Sequence, residues 1–568
     1  MKTLNLHCDY IKFKALKKAL KKIDEIAPEQ ILEGDVKECL VVLTAVEKGD
    51  NVKDSVGLLV QNIKDIVGQV RCENVVLYPY AHLSRNLGSP DIAVKILNSA
   101  AEELRGELNV VQAPFGYYKT FELKVKGHPL SELSREIVVA GNEEEAELSD
   151  EERGRILRQI SKAKLDTSKL KDNDHRILGS KMDLWSFNSV APGMAFWHPK
   201  GLHLKNKLIE LWRDLHRKAG YTEISTPQIM DRKLWEVSGH WEKYKNNMFT
   251  TNYEKREFAV KPMNCPGGML VYKTSPKSHK DLPLRSGELG VCHRQELSGV
   301  LAGLFRVVQF TQDDAHIFCN EEQLEDEIGK IIDLINEIFS VFNLQLDHVE
   351  LSTRPEKRIG SDHIWDLAET ALENVLNNRK MKYNINEGDG AFYGPKIDFH
   401  LKDSLDRTWQ CSTIQLDMAL PERFDLNYTD KDGNEKRPIM LHRVVYGSID
   451  RFLGIVTEHF NGKFPLWMSP NQIKVLTLND EANDYAEEVR KRLFDEGFEV
   501  ELDNRSESMG KKAREAQIQR FNYLVTVGQN EMDEKTIAVK KRDEKEIESF
   551  VIDDFISKVK EEIKTRKR

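Results

Sequence analysis

The chain has 568 residues, of which 31% are charged and 40% hydrophobic, and a formal net charge of −9. At roughly 100–200 residues per domain it should hold three or four domains, and its negative balance argues against a protein that coats nucleic acid indiscriminately while leaving room for local basic surfaces. No run approaches the roughly 18–20 apolar residues of a membrane span, no signal-peptide core follows the N-terminus, and seven scattered cysteines suit a reducing compartment, so a cytoplasmic protein without membrane association is expected.

Residues 1–140 alternate strand-like and helix-like pieces: a buried strand at 75–78, apolar residues at helical spacing over 91–108, and a predicted hairpin at 110–125 broken at Pro114-Phe115-Gly116. A compact α/β domain is the simplest account. Over 141–182 the composition turns polar, with Glu143-Glu144-Glu145 and Asp150-Glu151-Glu152 ahead of a lysine-rich helical stretch, which reads as a charged linker. Residues 183–468 open with Leu204, Leu208, Leu211, Trp212 and Leu215 on one face of a helix ending near Gly220, followed by a strand over 222–227. Long antiparallel strands at 288–296 and 304–318 come next, and no glycine-rich phosphate loop is present, so the layout is α+β rather than a Rossmann domain. Residues 469–568 alternate strands (473–476, 499–502, 523–527) with helices (481–494, 510–520), predicting a small, mostly parallel sheet with helices on its faces. The tail Thr565-Arg566-Lys567-Arg568 reads as a frayed basic end.

Cys265, His316 and His442 offer one thiolate and two imidazoles, zinc ligands of the right softness, and three protein ligands leave a fourth tetrahedral position for a substrate. Their spacing matches no short zinc-finger pattern, so spacing alone favours a buried cysteine and two ordinary histidines. The flanking residues reverse that reading. His293-Arg294-Gln295-Glu296, the loop through Gly303-Leu304-Phe305-Arg306, and Phe310 resemble motif 2 of class II aminoacyl-tRNA synthetases. The helix and strand ending at Pro227 resemble motif 1, and Gly447-Ser448-Ile449-Asp450-Arg451-Phe452 resembles motif 3. Within that class, Lys261-Pro262-Met263-Asn264-Cys265-Pro266, Thr311-Gln312-Asp313-Asp314-Ala315-His316, Ala391-Phe392-Tyr393-Gly394-Pro395-Lys396 and Trp409-Gln410-Cys411-Ser412-Thr413-Ile414-Gln415-Leu416-Asp417 closely resemble the threonyl-tRNA synthetases.

That resemblance implies a class II antiparallel-sheet catalytic core at 183–468. ATP would bind with Mg2+, Arg294 stabilising charge that develops at the α-phosphate and Arg451 gripping the γ-phosphate end with its planar fork of donors. Phe310 would stack under adenine, Glu296 and Arg306 would contact adenine and phosphates, Lys396 would approach the activated phosphate, and His240 would assist transfer to the ribose. One zinc ion per subunit would sit on Cys265, His316 and His442, with Met263, Gln312, Asp314, Tyr393 and Gln415 completing the L-threonine pocket. Motif 1 implies a homodimer.

In that family zinc binds the amino and hydroxyl groups of threonine, which rejects valine. Serine lacks only a methyl group, worth about 1–3 kcal/mol in a pocket, so a corrector is expected. Leu77-Tyr78-Pro79-Tyr80-Ala81-His82-Leu83, Ala113-Pro114-Phe115-Gly116-Tyr117-Tyr118-Lys119 and Gly127-His128-Pro129-Leu130-Ser131-Glu132-Leu133 resemble the editing domain of archaeal members, itself similar to D-aminoacyl-tRNA deacylases. This implies His82, Lys119 and Glu132 around the ester of a mischarged seryl-tRNA. Residues 469–568 resemble an α/β anticodon-binding domain in which Glu507 and Arg514 contact the tRNA, and Lys511 and Lys512 read as phosphate contacts or solvated charges. The implied activity is ATP-dependent ligation of threonine to tRNA(Thr), with hydrolysis of seryl-tRNA(Thr) at the N-terminal domain. Gln295, Val308 and Asp450 depart from the frequent asparagine, arginine and glutamate of the family.

Overall fold

The computed structural model describes residues 1–20, 32–84, 86–137, 150–161 and 170–566. The chain divides into two compact units, Met1–Ser149 and Asp150–Arg568. Among the described residues no helix is long and apolar enough to cross a membrane.

The first unit is a six-stranded mixed sheet with two helices. Lys2–Lys18 is its long central strand, antiparallel to Glu33–Ala45, Tyr117–Val125 and Glu132–Glu136, while Asn74–Pro79 and Asn109–Gln112 extend the sheet in parallel beyond Glu33–Ala45. Helix Val52–Val70 starts where the Asn51 side chain accepts from the Asp54 amide, and it buries Val56, Leu59, Val60, Ile63 and Ile66 at helical spacing. Helix Pro90–Leu104, capped by Ser89 with proline in its first turn, lays Ala93, Ile96, Leu97, Ala100 and Leu104 into the same core. Each fully buried large side chain contributes about 1.5–3 kcal/mol, which holds both helices on one sheet face.

The expected hairpin at 110–125 is not one. Asn109–Gln112 pairs with Asn74–Pro79, whereas Tyr117–Val125 pairs with Lys2–Lys18. Pro114 brings no amide donor to a ladder, and Ala113 and Pro114 are buried in the wall between the two strands instead.

The second unit is built on an eight-stranded sheet, in the order Asn384–Asn386, Gln345–Ser352, Lys396–Lys402, Thr408–Asp417, Ile439–Val444, Gln309–Cys319, Leu284–His293, Thr222–Glu223. The pairings are antiparallel except at the two edges. Helices Pro199–Lys218, Glu321–Phe342, Asp362–Asn378 and Ile449–His459 share one apolar core with the sheet. The longest of them opens with a reciprocal Asn320–Gln323 capping box and closes on Asn343 in the left-handed conformation. The expected motif 1 face is observed: Leu204, Leu208, Leu211, Trp212 and Leu215 are buried. The predicted strands at 288–296 and 304–318 stop at His293 and resume only at Gln309, so Arg294 lies one residue beyond a strand end.

The last stretch of the expected linker is built into this core. Asp150–Ser161 is a helix, 141–149 and 162–169 lie outside the described residues, and His175 in helix His175–Lys181 is buried. Its ring donates to Glu458 Oε1 at 2.7 Å and accepts from the Leu304 amide at 2.9 Å. A histidine in a polar-looking run thus fastens the loop that leads to Arg306. Gly303 runs at φ 58°, and a Cβ there would meet His175 Nε2 at 2.3 Å.

Within the same unit, residues 473–564 form a five-stranded sheet in the order Val500–Asp503, Ile473–Thr477, Tyr523–Val527, Thr536–Lys541, Glu548–Val551, closed by helix Ile552–Lys564. The first three strands are parallel, as expected, and the last two antiparallel. Arg566 is not frayed: its guanidinium bonds Asp214 at 3.0 Å.

Candidate functional site

The register of the large sheet makes the principal site. His316 stands directly opposite His442, and His442 opposite Gln415, which faces Lys396. Cys265 opens helix Cys265–Tyr272 and is held against this sheet by a buried cluster in which Glu288 Oε1 accepts from Lys261 Nζ, the Thr226 amide and the Thr226 hydroxyl, each at 2.8 Å. The ligand atoms of Cys265, His316 and His442 lie within 4.8 Å of one another, and all three residues are buried.

The chemistry of this trio suits a soft divalent cation. Both ring nitrogens of His316 are sealed from solvent without a hydrogen-bond partner among the described residues, and burial, with His442 beside it, pushes its pKa down to about 3, so the ring is neutral. His442 Nε2 donates to Asp417 Oδ2 at 2.9 Å, and Asp417 Oδ1 is held by the amides of Ala419 and Leu420. Because a carboxylate only accepts, this bond fixes the tautomer and leaves Nδ1 with a free lone pair. Burial, then Asp314 and Asp417, push the Cys265 thiol well above its ordinary range; a bound cation would offset that by drawing off the proton.

Beside the trio a cavity of about 360 Å³ is lined by Met263, Cys265, Gln312, Asp314, Tyr393, Gln415, His442 and Arg294, every residue expected in the amino-acid pocket together with one motif 2 arginine. Tyr393 donates to Gln415 Oε1 at 2.6 Å, and Asn264 donates to Asp314 at 3.2 Å. Arg294 bonds the Pro262 carbonyl, and its guanidinium stands 5.1 Å from the Phe310 ring centre. Arg306 and Glu296 pair at 2.9 Å. Lys396 bridges Asp389 and Asp398 at 2.8 and 2.7 Å. Arg451, on the first turn of helix Ile449–His459, has a buried Nε without a hydrogen-bond partner among the described residues.

His240 is not among the residues that line this cavity. It is fully buried, with Nε2 3.1 Å from Met263 Sδ and Nδ1 bonded to Ser238 at 2.8 Å, and burial, then His442 and Arg294, push its pKa down to about 3. Met263 stands between it and the cavity side. Asp417 and Asn264 were not singled out in the sequence. Both lie inside quoted runs, but their value depends on strand register and helix placement that spacing does not encode.

A second cavity, of about 550 Å³, opens in the first unit and contains His82, Lys119, Tyr78, Tyr80 and Phe115 in its lining. Lys119 Nζ donates to the Pro114 carbonyl at 2.8 Å and sits 4.8 Å from the Tyr78 ring centre. Burial pushes its pKa down to about 8. Glu132 does not join them: it is exposed on strand Glu132–Glu136, opposite Leu6, because that strand pairs with the far end of Lys2–Lys18 from the one that meets Lys119.

In the middle of helix Met509–Ile518, Arg514 is exposed, and no ion pair to it occurs among the described residues. Glu507 pairs with Lys511 at 2.5 Å. Lys512 is not a solvated charge: it is 2% exposed and donates to the Thr477 carbonyl at 2.9 Å and hydroxyl at 3.1 Å. Asp450, the departure in motif 3, is buried and accepts from the Thr311 amide at 2.6 Å.

Residues 1–137 match the archaea-specific editing domain of threonyl-tRNA synthetase, 248–460 the tRNA synthetase class II core domain, and 472–562 the anticodon binding domain. The solved RNA binding domain of threonyl-tRNA synthetase from Cryptosporidium parvum Iowa II is 41% identical, superposes with a TM-score of 0.67, and is covered over 98% of its length by 68% of this chain. The chain belongs to the threonyl-tRNA synthetase family. A threonine–tRNA ligase of Desulforamulus reducens is 53% identical over 396 residues, 70% of this chain and 62% of that protein, so the chain spans less than two thirds of that family member's length. A second family member, from Desulforapulum autotrophicum, is 51% identical over 428 residues, covering 74% of this chain and 67% of its own. Family membership accounts for the α+β architecture, the class II core and the two flanking domains expected from the sequence.

Proposed function

We propose that the chain activates L-threonine with ATP and Mg2+, passes it to the terminal ribose of tRNA(Thr), and hydrolyses mischarged seryl-tRNA(Thr) in its N-terminal unit, working as a homodimer. The observation that carries this reading is the meeting of Cys265, His316 and His442 beside a cavity that holds Arg294 and the expected amino-acid pocket. Cys265, His316 and His442 are the residues that would hold zinc, which would supply a Lewis-acidic position for the amino and hydroxyl groups of threonine.

The remaining work falls to side chains. Asp314, oriented by Asn264, offers a carboxylate to the amino group, and Tyr393 and Gln415 hold each other beside it. Arg294 brings a cation to the carboxylate and α-phosphate, where negative charge concentrates as the mixed anhydride forms and pyrophosphate leaves. Phe310, under the Arg294 guanidinium, supplies a flat face for adenine, and Glu296 and Arg306, paired with each other, are assigned to adenine and the phosphates. Lys396, bridging two carboxylates, and Arg451, with an unpartnered donor, are the cations we assign to the phosphates. We assign His240 to bracing Met263, because its ring is enclosed with Nε2 against the Met263 sulfur.

Serine differs from threonine by one methyl group, so selection in this pocket stays within about 1–3 kcal/mol. The N-terminal cavity is the corrector we assign. Lys119 brings a poorly solvated amine, and His82 an imidazole, to a space large enough for an aminoacyl-adenosine. Arg514 on its exposed helix is the base contact assigned to the C-terminal region. Threonylation of tRNA(Thr) transcript by the full chain, followed by release of serine from preformed seryl-tRNA(Thr), tests both halves. Failure to charge threonine would overturn the first, and intact seryl-tRNA would overturn the second.

A further inference from the structure

A second cross-strand histidine pair of the large sheet lies outside the lining of the threonine cavity. His348 on strand Gln345–Ser352 stands directly opposite His400 on strand Lys396–Lys402, and Glu350 follows two residues after His348 on the same face. The two rings are stacked, 4.2 Å between centres and 13° from parallel, which sends both Nε2 atoms the same way. Each aims at Glu350 but stops short of it: His348 Nε2 lies 3.4 Å from Oε1 and His400 Nε2 3.5 Å from Oε2. His400 Nε2 is sealed from solvent and has no hydrogen-bond partner among the described residues. The three ligand atoms fall within 4.8 Å of one another.

The surroundings prepare these groups as ligands. His348 Nδ1 donates to Asp347 Oδ2 at 2.7 Å, so its proton is fixed there and the lone pair of Nε2 is left facing Glu350. Thr408 holds Asp347 from the next strand but one, and Asn386 on the edge strand donates to Glu350 Oε2 at 3.1 Å. A carboxylate behind a histidine, with a second histidine and a glutamate in front, is the pattern by which proteins orient imidazoles toward zinc-class ions. The pleat places these residues on the same sheet face as Asp398 and Lys396, one and two alternations back along the strand from His400. Register shifts on both sides, between Leu346 and His348 and between Phe399 and His400, bend the strands where the rings stack.

The geometry points to a second metal site, in which His348, Glu350 and His400 hold a first-row divalent cation such as zinc or cobalt with coordination positions left open. It differs from the Cys265 site in having no thiolate, and that difference makes it separately visible.

Cobalt titration of the metal-stripped full chain tests it. The parent should take up two ions, one giving the sulfur-to-cobalt charge-transfer band of Cys265 and one giving only the weaker visible bands of a nitrogen and oxygen site. Cys265→Ser should lose the charge-transfer band and keep one ion. His400→Gln and, separately, Glu350→Gln should keep that band and lose the other ion. Asp347→Asn should weaken the second ion by about 10–100-fold while leaving the first unchanged. The proposal is overturned if Cys265→Ser binds no cobalt, or if both His400→Gln and Glu350→Gln bind two ions as tightly as the parent. Loss of the charge-transfer site alone would count against the threonine-site metal and leave this one standing.

Discussion

Replacing His316 by leucine separates a metal ligand from a packing residue, because the two roles demand stability changes of different sign. His316 is fully buried, and neither ring nitrogen has a hydrogen-bond partner. An unmatched buried polar group costs about 1–3 kcal/mol, so leucine removes that cost in metal-stripped protein, less about 1 kcal/mol for imperfect fit. The stripped variant should therefore equal the stripped parent in stability or exceed it by up to about 2 kcal/mol. With zinc at a hundred times its dissociation constant the parent gains about 2.7 kcal/mol, whereas the variant, left with Cys265 and His442, gains little. Urea melts of the full chain, read by tryptophan fluorescence with chelator or with zinc, should show the order of the two proteins inverting or opening in the parent's favour on adding metal. A variant destabilised by the same margin in both buffers would refute the reasoning and make His316 an ordinary packing histidine.

Asp417→Asn should lower zinc affinity by about 10–100-fold, measured by competition with a chelating dye, because the remaining oxygen stays with the amides of Ala419 and Leu420 and an NH2 donor then faces the His442 ring. Gly290→Ala should raise KM for threonine and cost about 1–3 kcal/mol of stability, since a Cβ there would meet Asn264 Oδ1 at 2.0 Å and dislodge the side chain that orients Asp314. Lys119→Met should abolish release of serine from seryl-tRNA. The same change should raise the melting point of the N-terminal unit most below pH 8. With the folded pKa near 8 and an unfolded lysine near about 10.4, the unfolded chain binds the extra proton between those values, so the parent gains stability as pH rises through that window and the variant's advantage should shrink there. An advantage independent of pH would contradict the assignment of a poorly solvated cation. Arg514→Ala should weaken tRNA binding with an unchanged melting point, whereas Lys512→Ala should lower the melting point, because its ammonium is buried on Thr477.

The residue types that carry chemistry were legible in the sequence because each lies in a short run whose neighbours restrict its meaning. Cys265, Gln312, Asp314, Tyr393, Gln415 and His442 all reach one cavity. What the sequence left out is set by distant pairing. The bond from Asp417 to His442 depends on a strand register linking residues 25 apart, and the burial of His240 depends on Met263. The 110–125 segment reads as a hairpin because alternation and a turn are local signals, whereas the choice of partner strand is made by the whole sheet. His175 and Lys512 show the complementary failure. Polar residues in polar runs read as solvated, yet each is enclosed because specific partners satisfy it, Glu458 and the Leu304 amide for His175 and Thr477 for Lys512.

The central claim, a threonine-activating site selected by metal, is tested most directly by ATP–pyrophosphate exchange on the zinc-replete full chain with threonine, serine, valine and proline in parallel. The account predicts strong exchange with threonine, exchange with serine weaker by about 10–200-fold, and none with valine or proline. Exchange with serine or proline in the absence of exchange with threonine would contradict it.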